Sequence, residues 1–188
     1  MDGSPEPALA ALRSANDRLA ALRRPDTRVV TLSPVADATA WQESAGRATG
    51  ASPTLESDTR TSGGASRATS YLRFELPALA PGETVASAAL TVHVTDGTTD
   101  GPVIWRTTTG WSESTPSWKR QPARTATTPL GDFGAMASGP VTLPLTAAGL
   151  SGAVSLELYA QVDDGLRVAA REEPDVDRRP RLTVVIAT

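Results

Sequence analysis

From Pro25 onward, apolar positions recur at every second residue. Leu72, Phe74 and Leu76 alternate with Tyr71, Arg73 and Glu75. Leu90, Val92 and Val94 alternate with Thr91, His93 and Thr95. The same period runs through Val154, Leu156 and Leu158 and through Leu182, Val184 and Ile186, and Val30 and Leu32 begin another run. A period of two sends alternate side chains to opposite faces, so each segment predicts a strand covered on one side. Shorter strands are expected at residues 54–57, 103–107, 141–145 and 166–170. Turn-forming clusters separate them, at residues 61–64, 81–83, 96–98 and 163–165. Val162-Asp163-Asp164-Gly165-Leu166 reads as the clearest hairpin. About nine or ten strands without intervening helices predict an all-β fold, an antiparallel two-sheet β-sandwich of the jelly-roll kind. Long polar loops fall at residues 42–50, 58–67 and 121–139, where contacts with a partner are expected.

Before Pro25 the spacing is helical. Ala8, Leu12, Ala15, Leu19 and Leu22 recur at three and four residues, making one narrow apolar face. Ser4 suits an N-cap, Pro5 the first helical position, and Pro25 a stop. One short N-terminal α-helix over residues 5–24 is therefore expected. The chain divides into a helical stem or linker, residues 1–26, and a β-sandwich module, residues 27–188. The helix either packs on the sandwich or frays, or it joins copies as a short coiled-coil stem, which makes a homo-oligomer or larger assembly an alternative.

Composition narrows the function. The chain has 188 residues and no cysteine, so disulfides, zinc knuckles and cysteine nucleophiles are excluded together. A net charge of −3 argues against a nucleic-acid partner, which needs a basic footprint. No apolar run approaches the roughly 20 residues of a membrane span. Met1-Asp2-Gly3-Ser4 lacks the basic and apolar regions of a secretory signal.

Several strings, in order, carry a resemblance. They are Ser33-Pro34-Val35-Ala36-Asp37-Ala38, Ser52-Pro53-Thr54-Leu55-Glu56, Tyr71-Leu72-Arg73-Phe74-Glu75-Leu76, and Val85-Ala86-Ser87-Ala88-Ala89-Leu90. Trp111-Ser112-Glu113, Ser117-Trp118, Gln121-Pro122, Ala170-Arg171-Glu172 and Arg179-Pro180-Arg181-Leu182 complete the series. Together they resemble the DNRLRE domain, which is similar to alginate-binding carbohydrate-binding modules and disaggregatase-related domains. The resemblance implies a non-catalytic jelly-roll module of secreted or surface proteins, often bacterial. Extracellular or cell-surface placement is thus an expectation. The chain departs from that pattern at Ser117, Leu143-Pro144-Leu145 and Ala170.

The chemistry points the same way. His93 is the only histidine and lies mid-strand, and no G-x-S-x-G elbow is present for a serine triad. Glu43, Glu56, Glu75, Glu113 and Glu157 could supply a glycosidase pair, but carboxylates on strand faces more often pair with arginine. The first expectation is therefore a non-catalytic module that binds carbohydrate, an acidic polysaccharide in particular, or adheres to a surface. A displayed structural head is the second, and a polysaccharide-degrading enzyme the weakest. Trp41, Trp105 and Tyr159 are the candidate stacking platforms, with Arg106 and Arg167 as candidate partners of an acidic sugar. Trp111 and Trp118 are expected in a small core under the long loop. Jelly-roll binding modules often carry a structural calcium, whose six to eight oxygen ligands need no fixed spacing. Asp37, near the first strand, and Glu172, before the last, are its candidate ligands, because terminal strands often pair.

Overall fold

A computed structural model describes residues 9–16, 26–60 and 63–188. Residues 9–16 are helical, and Leu9 and Leu12 on them are exposed. The rest of the expected helix, including Leu19 and Leu22, lies outside the described residues.

Eleven strands follow: β1 Thr27–Leu32, β2 Ala36–Trp41, β3 Thr54–Thr59, β4 Ser66–Glu75, β5 Thr84–Asp96, β6 Val103–Thr107, β7 Gly131–Asp132, β8 Gly139–Leu145, β9 Ala153–Tyr159, β10 Leu166–Ala169 and β11 Arg181–Ala187. All pairings are antiparallel. The predicted alternation sets are strands β1, β4, β5, β9 and β11, and the four shorter segments are β3, β6, β8 and β10. The first and last strands pair in register, with Leu32 opposite Leu182.

The chain forms a continuous hydrogen-bonded ladder rather than two separate sheets. Its order is β1-β11-β5-β10-β3-β4-β9-β6-β7, with β2 added to β4 and β8 added to β5. Strand β3 makes the join. Its first four residues pair with β10 and its last two pair with β4. The sheet curls there, so that Leu90, Val92, Val94, Val168, Leu182, Val184 and Ile186 of one arm meet Leu72, Phe74, Ile104, Leu156 and Leu158 of the other in one buried core. Burying each such side chain contributes about 1.5–3 kcal/mol, which makes this core the main source of stability.

Three local expectations are corrected. The turn at Asp163-Asp164-Gly165 does not close a hairpin: β9 pairs with β4 and β6, whereas β10 pairs with β3 and β5. The turn carries the chain from one arm to the other. The Asp164 carboxylate and main-chain carbonyl accept from the Thr99 N–H and the Thr98 hydroxyl, so its polar groups tie down a second crossing. The loop expected at residues 58–67 is cut back at both ends, because β3 runs to Thr59 and β4 begins at Ser66, the two pairing antiparallel. Strand β2 was not anticipated. It is buried on both faces, with alanines on one side and Asp37, Thr39 and Trp41 on the other, so it shows no apolar–polar alternation.

A second, smaller core lies on the outer face of β2 and β4. Ala36, Ala40, Tyr71 and Trp111 form it, with Trp118 packed against it. Trp111 meets Tyr71 edge to face at 6.3 Å and donates its indole N–H to the Ser155 hydroxyl at 3.0 Å. The expected small core beneath the long loop is thus present. Burial pushes the Tyr71 phenol up from its ordinary value, and its hydroxyl donates to Gln121 at 3.0 Å.

Candidate carbohydrate cleft and carboxylate cluster

Strands β2 and β3 pair with opposite edges of β4, Ala68 lying between Trp41 and Asp58, and β3 then leaves β4 to join β10, with its Glu56 N–H reaching the Thr39 hydroxyl of β2. The space between them is a cleft of about 520 Å³, closed on one side by the loop at residues 42–53. This volume falls within the roughly 300–1,000 Å³ of ligand pockets. Trp41, Glu43, Arg47, Thr49, Thr54 and Glu56 line it, together with Thr39. Its walls are built by hydrogen bonds between the strands and the loop. The Thr39 N–H donates to the Thr49 hydroxyl at 2.8 Å, and that hydroxyl donates to the Thr39 carbonyl at 2.6 Å. The Glu56 N–H donates to the Thr39 hydroxyl at 3.1 Å. Trp41 is half-buried, so one part of its ring packs and another faces the cleft. Arg47 is exposed, and no side-chain partner accompanies it among the described residues.

The five expected ligand-binding residues separate into three groups. Trp41 is on the cleft. Arg167 is beside it, since its guanidinium pairs with the cleft residue Glu56 at 3.2 Å. Trp105 and Tyr159 come together elsewhere, on β6 and β9, around Arg124. The Arg124 guanidinium stands 4.4 Å from the Trp105 ring centre and 4.5 Å from that of Tyr159, and it is ion-paired to Glu157. One face of each ring is therefore occupied by a cation–π contact within the protein. Arg106 is apart from both, donating to the Gly149 carbonyl at 2.9 Å. Arg47 was not anticipated as a site residue, and Glu43 was weighed only as one carboxylate of a glycosidase pair. Their signal was weak: a polar, small-residue loop following a tryptophan.

At the other end of β2, Asp37 and Glu172 do meet, and Glu113 joins them. One carboxylate oxygen from each lies within 4.8 Å of the others. Asp37 is fully buried, Glu113 and Glu172 partly. The Arg171 N–H donates to Asp37 Oδ2 at 2.7 Å, while Asp37 Oδ1 is buried without a partner. Arg171 Nη2 pairs with Glu113 at 2.5 Å and with Glu172 at 2.7 Å. Burial, opposed by the Arg171 N–H and reinforced by Glu172 and then Glu113, pushes the Asp37 carboxyl up to about 7. An orphaned buried oxygen beside two further carboxylates is a donor set that fits a hard cation. Arg73 pairs with no acid among the described residues; it donates to the Thr109 and Trp111 carbonyls and lies over the Trp111 ring.

A hydroxyl-lined cleft with a tryptophan wall, on a rigid all-β scaffold, defines a binding module. The chain belongs to carbohydrate-binding module family 96, whose model matches residues 28–185. It is thus a non-catalytic carbohydrate-binding module. No curated protein sequence matches it. Among solved structures it is similar to BuGH86wt in complex with neoagarooctaose, at 10% identity and a TM-score of 0.41. That likeness covers 88% of this chain but only 20% of the other. It is also similar to two cleaved adhesin domains of Lys-gingipain from Porphyromonas gingivalis. One has 16% identity, a TM-score of 0.34, and coverage of 86% of this chain and 100% of that one. The other has 12% identity, a TM-score of 0.26, and coverage of 87% and 98%.

Proposed function

We propose that the module binds an acidic polysaccharide in the cleft between β2 and β3. The observation that carries this reading is the pairing of a half-exposed tryptophan with an arginine that has no side-chain partner among the described residues, across a wall of threonine hydroxyls. The Trp41 ring supplies an apolar face for a sugar ring, Thr49 and Thr54 offer hydroxyls to its hydroxyls, and Arg47 receives a carboxylate as a charge-assisted hydrogen bond. Residues Asp37, Glu113 and Glu172 would hold a calcium ion, which would supply positive charge to a buried anionic cluster and no step of chemistry. The Trp105–Tyr159 pair serves instead as a packed surface, because Arg124 already covers both rings. The order of short strings that resembles the DNRLRE domain supports the same reading, as well as the jelly-roll form of the curled sheet and an extracellular setting.

Affinity electrophoresis in gels containing a polyuronate, with neutral polysaccharides in parallel, tests the proposal. Retardation by the polyuronate, reduced by salt and lost in Trp41→Ala and Arg47→Ala, is expected. Unchanged retardation of Trp41→Ala would sink the cleft, and a preference for the neutral gels would sink the acidic ligand. The same polysaccharides should release no reducing ends on incubation with the full chain, which extends the non-catalytic reading beyond the matched residues.

A second reading concerns residues 1–26. Leu9 and Leu12, about 49% and 65% exposed on the helical segment, favour a stem that docks or joins copies. Light scattering of the full chain and of a chain lacking residues 1–26 decides it: equal, monomeric masses would remove that role.

A further inference from the structure

Acids outnumber bases in this chain, 21 against 18, and most of the arginines after Asp26 are engaged within the protein. Seven of them, from Arg28 to Arg181, hold ion pairs with carboxylates. Four more, Arg60, Arg73, Arg106 and Arg179, donate to Gln42 or to main-chain carbonyls. Among the described residues after Asp26, Arg47, Lys119 and Arg120 are the cationic side chains left without a partner. All three are exposed, and all three border the loop that closes the cleft.

On the far side of that loop lies a hollow of about 290 Å³, between residues 46–48 and 114–120. Ser114, Thr115, Lys119 and Arg120 line it, and no carboxylate does. Ala48 lines both the hollow and the cleft, so the two are neighbours across residues 46–48. Arg47 belongs to the cleft side and Gly46 to the hollow. The divide is built of small side chains, because Gly46 and Ala48 are both exposed there. Two ties hold the hollow against the loop. The Lys119 N–H donates to the Ala45 carbonyl at 3.2 Å. A Cβ built on Gly50 would collide with the Glu113 side chain and backbone, so the two segments pass at a separation that glycine allows. Lys119 itself sits in a tight turn, where the Arg120 N–H donates to the Ser117 carbonyl at 2.9 Å and Trp118 packs on the smaller core. The cations therefore stand on a backbone that is already held, which lowers the ordering cost of binding.

We propose that this hollow is a second anionic subsite, in which Lys119 and Arg120 receive a carboxylate of the same polysaccharide chain whose sugar stacks on Trp41. The inference rests on the cleft reading above and specifies its ligand: a run of uronate units, not an isolated acidic unit in a neutral chain. The polymer crosses the loop at residues 46–48, meeting Arg47 on one side and Lys119 and Arg120 on the other. Lys119 offers rotatable N–H donors and Arg120 a planar fork, and Ser114 and Thr115 offer hydroxyls to the sugar. Two contacts joined by one chain make the second contact intramolecular, so overall affinity can exceed that of either by about 10²–10⁴.

Lys119 is the only lysine of the chain, which gives the subsite its own probe. Reductive methylation with isotope-labelled formaldehyde marks its amine and the chain's α-amine and leaves both charged, so the Lys119 methyl signal reports on the hollow in NMR. The full chain is titrated with a uronate disaccharide and with the octasaccharide, and calorimetry gives the affinities. The octasaccharide should bind at least about tenfold more tightly, and it should shift the Lys119 signal with the same midpoint. The double variant Lys119→Gln/Arg120→Gln should lose that gain with length, and its Tm should hold because both side chains are exposed. Gly46→Glu places bulk and a repelling charge on the divide. A Cβ there meets nothing within 4 Å and the backbone is not left-handed, so the fold is retained and the gain with length should again be lost. A Lys119 signal that stays still while the octasaccharide binds would overturn the subsite, as would a gain with length that survives in the double variant. A gain untouched by Gly46→Glu would overturn the crossing at residues 46–48. Octasaccharide binding that moves Lys119 but ignores Trp41→Ala would overturn the cleft reading and the linkage of the two sites. No octasaccharide binding at all would sink the acidic-polysaccharide reading and the subsite together.

Discussion

Strand β2 is six residues long, and its two ends are chemically opposite. Asp37, Thr39 and Trp41 share one face. At the Asp37 end that face is closed by groups from residues 113, 171 and 172, all ionised types, crowded and partly without donors. At the Trp41 end it opens to solvent and is lined by residues within fifteen positions along the chain. Thr39 lies between, its hydroxyl meeting Ser70 at 2.8 Å and the Glu56 N–H at 3.1 Å. A single strand therefore passes from a closed anionic knot, through a satisfied hydroxyl, to an open aromatic wall. The closed end is suited to bracing and the open end to recognition.

The largest expected effect lies at the closed end. In chelator, the Asp37 carboxyl has a folded value of about 7 against an ordinary 3.8. Its stabilising contribution is thus complete below about pH 4 and is lost as pH rises through about 7, because the folded state binds the extra proton in that window. The groups facing it are Glu172 and Glu113, which favour the proton, and the Arg171 N–H, which opposes it. The loss should reach about 2–4 kcal/mol between these limits. Denaturant unfolding of the unmodified chain and of Asp37→Asn at a series of pH values measures it. Equal pH slopes for the two proteins would erase the contrast between the ends.

At the open end, Trp41→Ala should cost about 2 kcal/mol in polysaccharide affinity, roughly 30-fold. Its effect on Tm should be small, since the ring is only half-buried and lies outside the main core. A large fall in Tm with unchanged affinity would make Trp41 a packing residue and reverse the assignment.

Gly50→Ala asks whether the two ends communicate. The added Cβ must displace Glu113, and overpacking of this kind costs about 1–3 kcal/mol. Calcium affinity and polysaccharide affinity should fall together, both recovered in part at saturating calcium. A variant that loses stability but keeps both affinities would show that the ends act independently.

These regions differ also in how far they could be read in advance. The strands with one covered face announced themselves through period two, and all five long alternation sets became strands. Strand β2 hid because both its faces are covered, which removes the alternation that marks a strand. The Asp163-Asp164-Gly165 turn misled because turn chemistry is local, whereas which strands pair is decided by the curl at β3. Asp37 and Glu172 were legible from the expected pairing of the chain's outer strands. Glu113 was not, because its place depends on a loop crossing the outer face of β4 and on the close approach at Gly50. Trp41 was legible as an aromatic beside a polar loop. The difference between Trp41 and Trp105 was not, since it rests on where Arg124 comes to lie.

That difference supplies the smallest predicted effect. Trp105 and Tyr159 are half-buried aromatics on adjacent strands, as promising by composition as Trp41. The Arg124 guanidinium stands within 4.5 Å of both ring centres and is fixed by Glu157, itself buried. A sugar stacking on those faces would have to displace a contact of about 0.5–1 kcal/mol and leave Glu157 without its cation. Recognition at the open cleft incurs no such loss. Trp105→Ala should therefore change polysaccharide affinity by no more than about twofold, under 0.5 kcal/mol. Its cost should show in Tm instead, through the lost stacking on Arg124. If Trp105→Ala and Trp41→Ala reduced affinity equally, the binding surface would extend over the outer face of β6 and β9. The open end of β2 would then be one part of a longer groove.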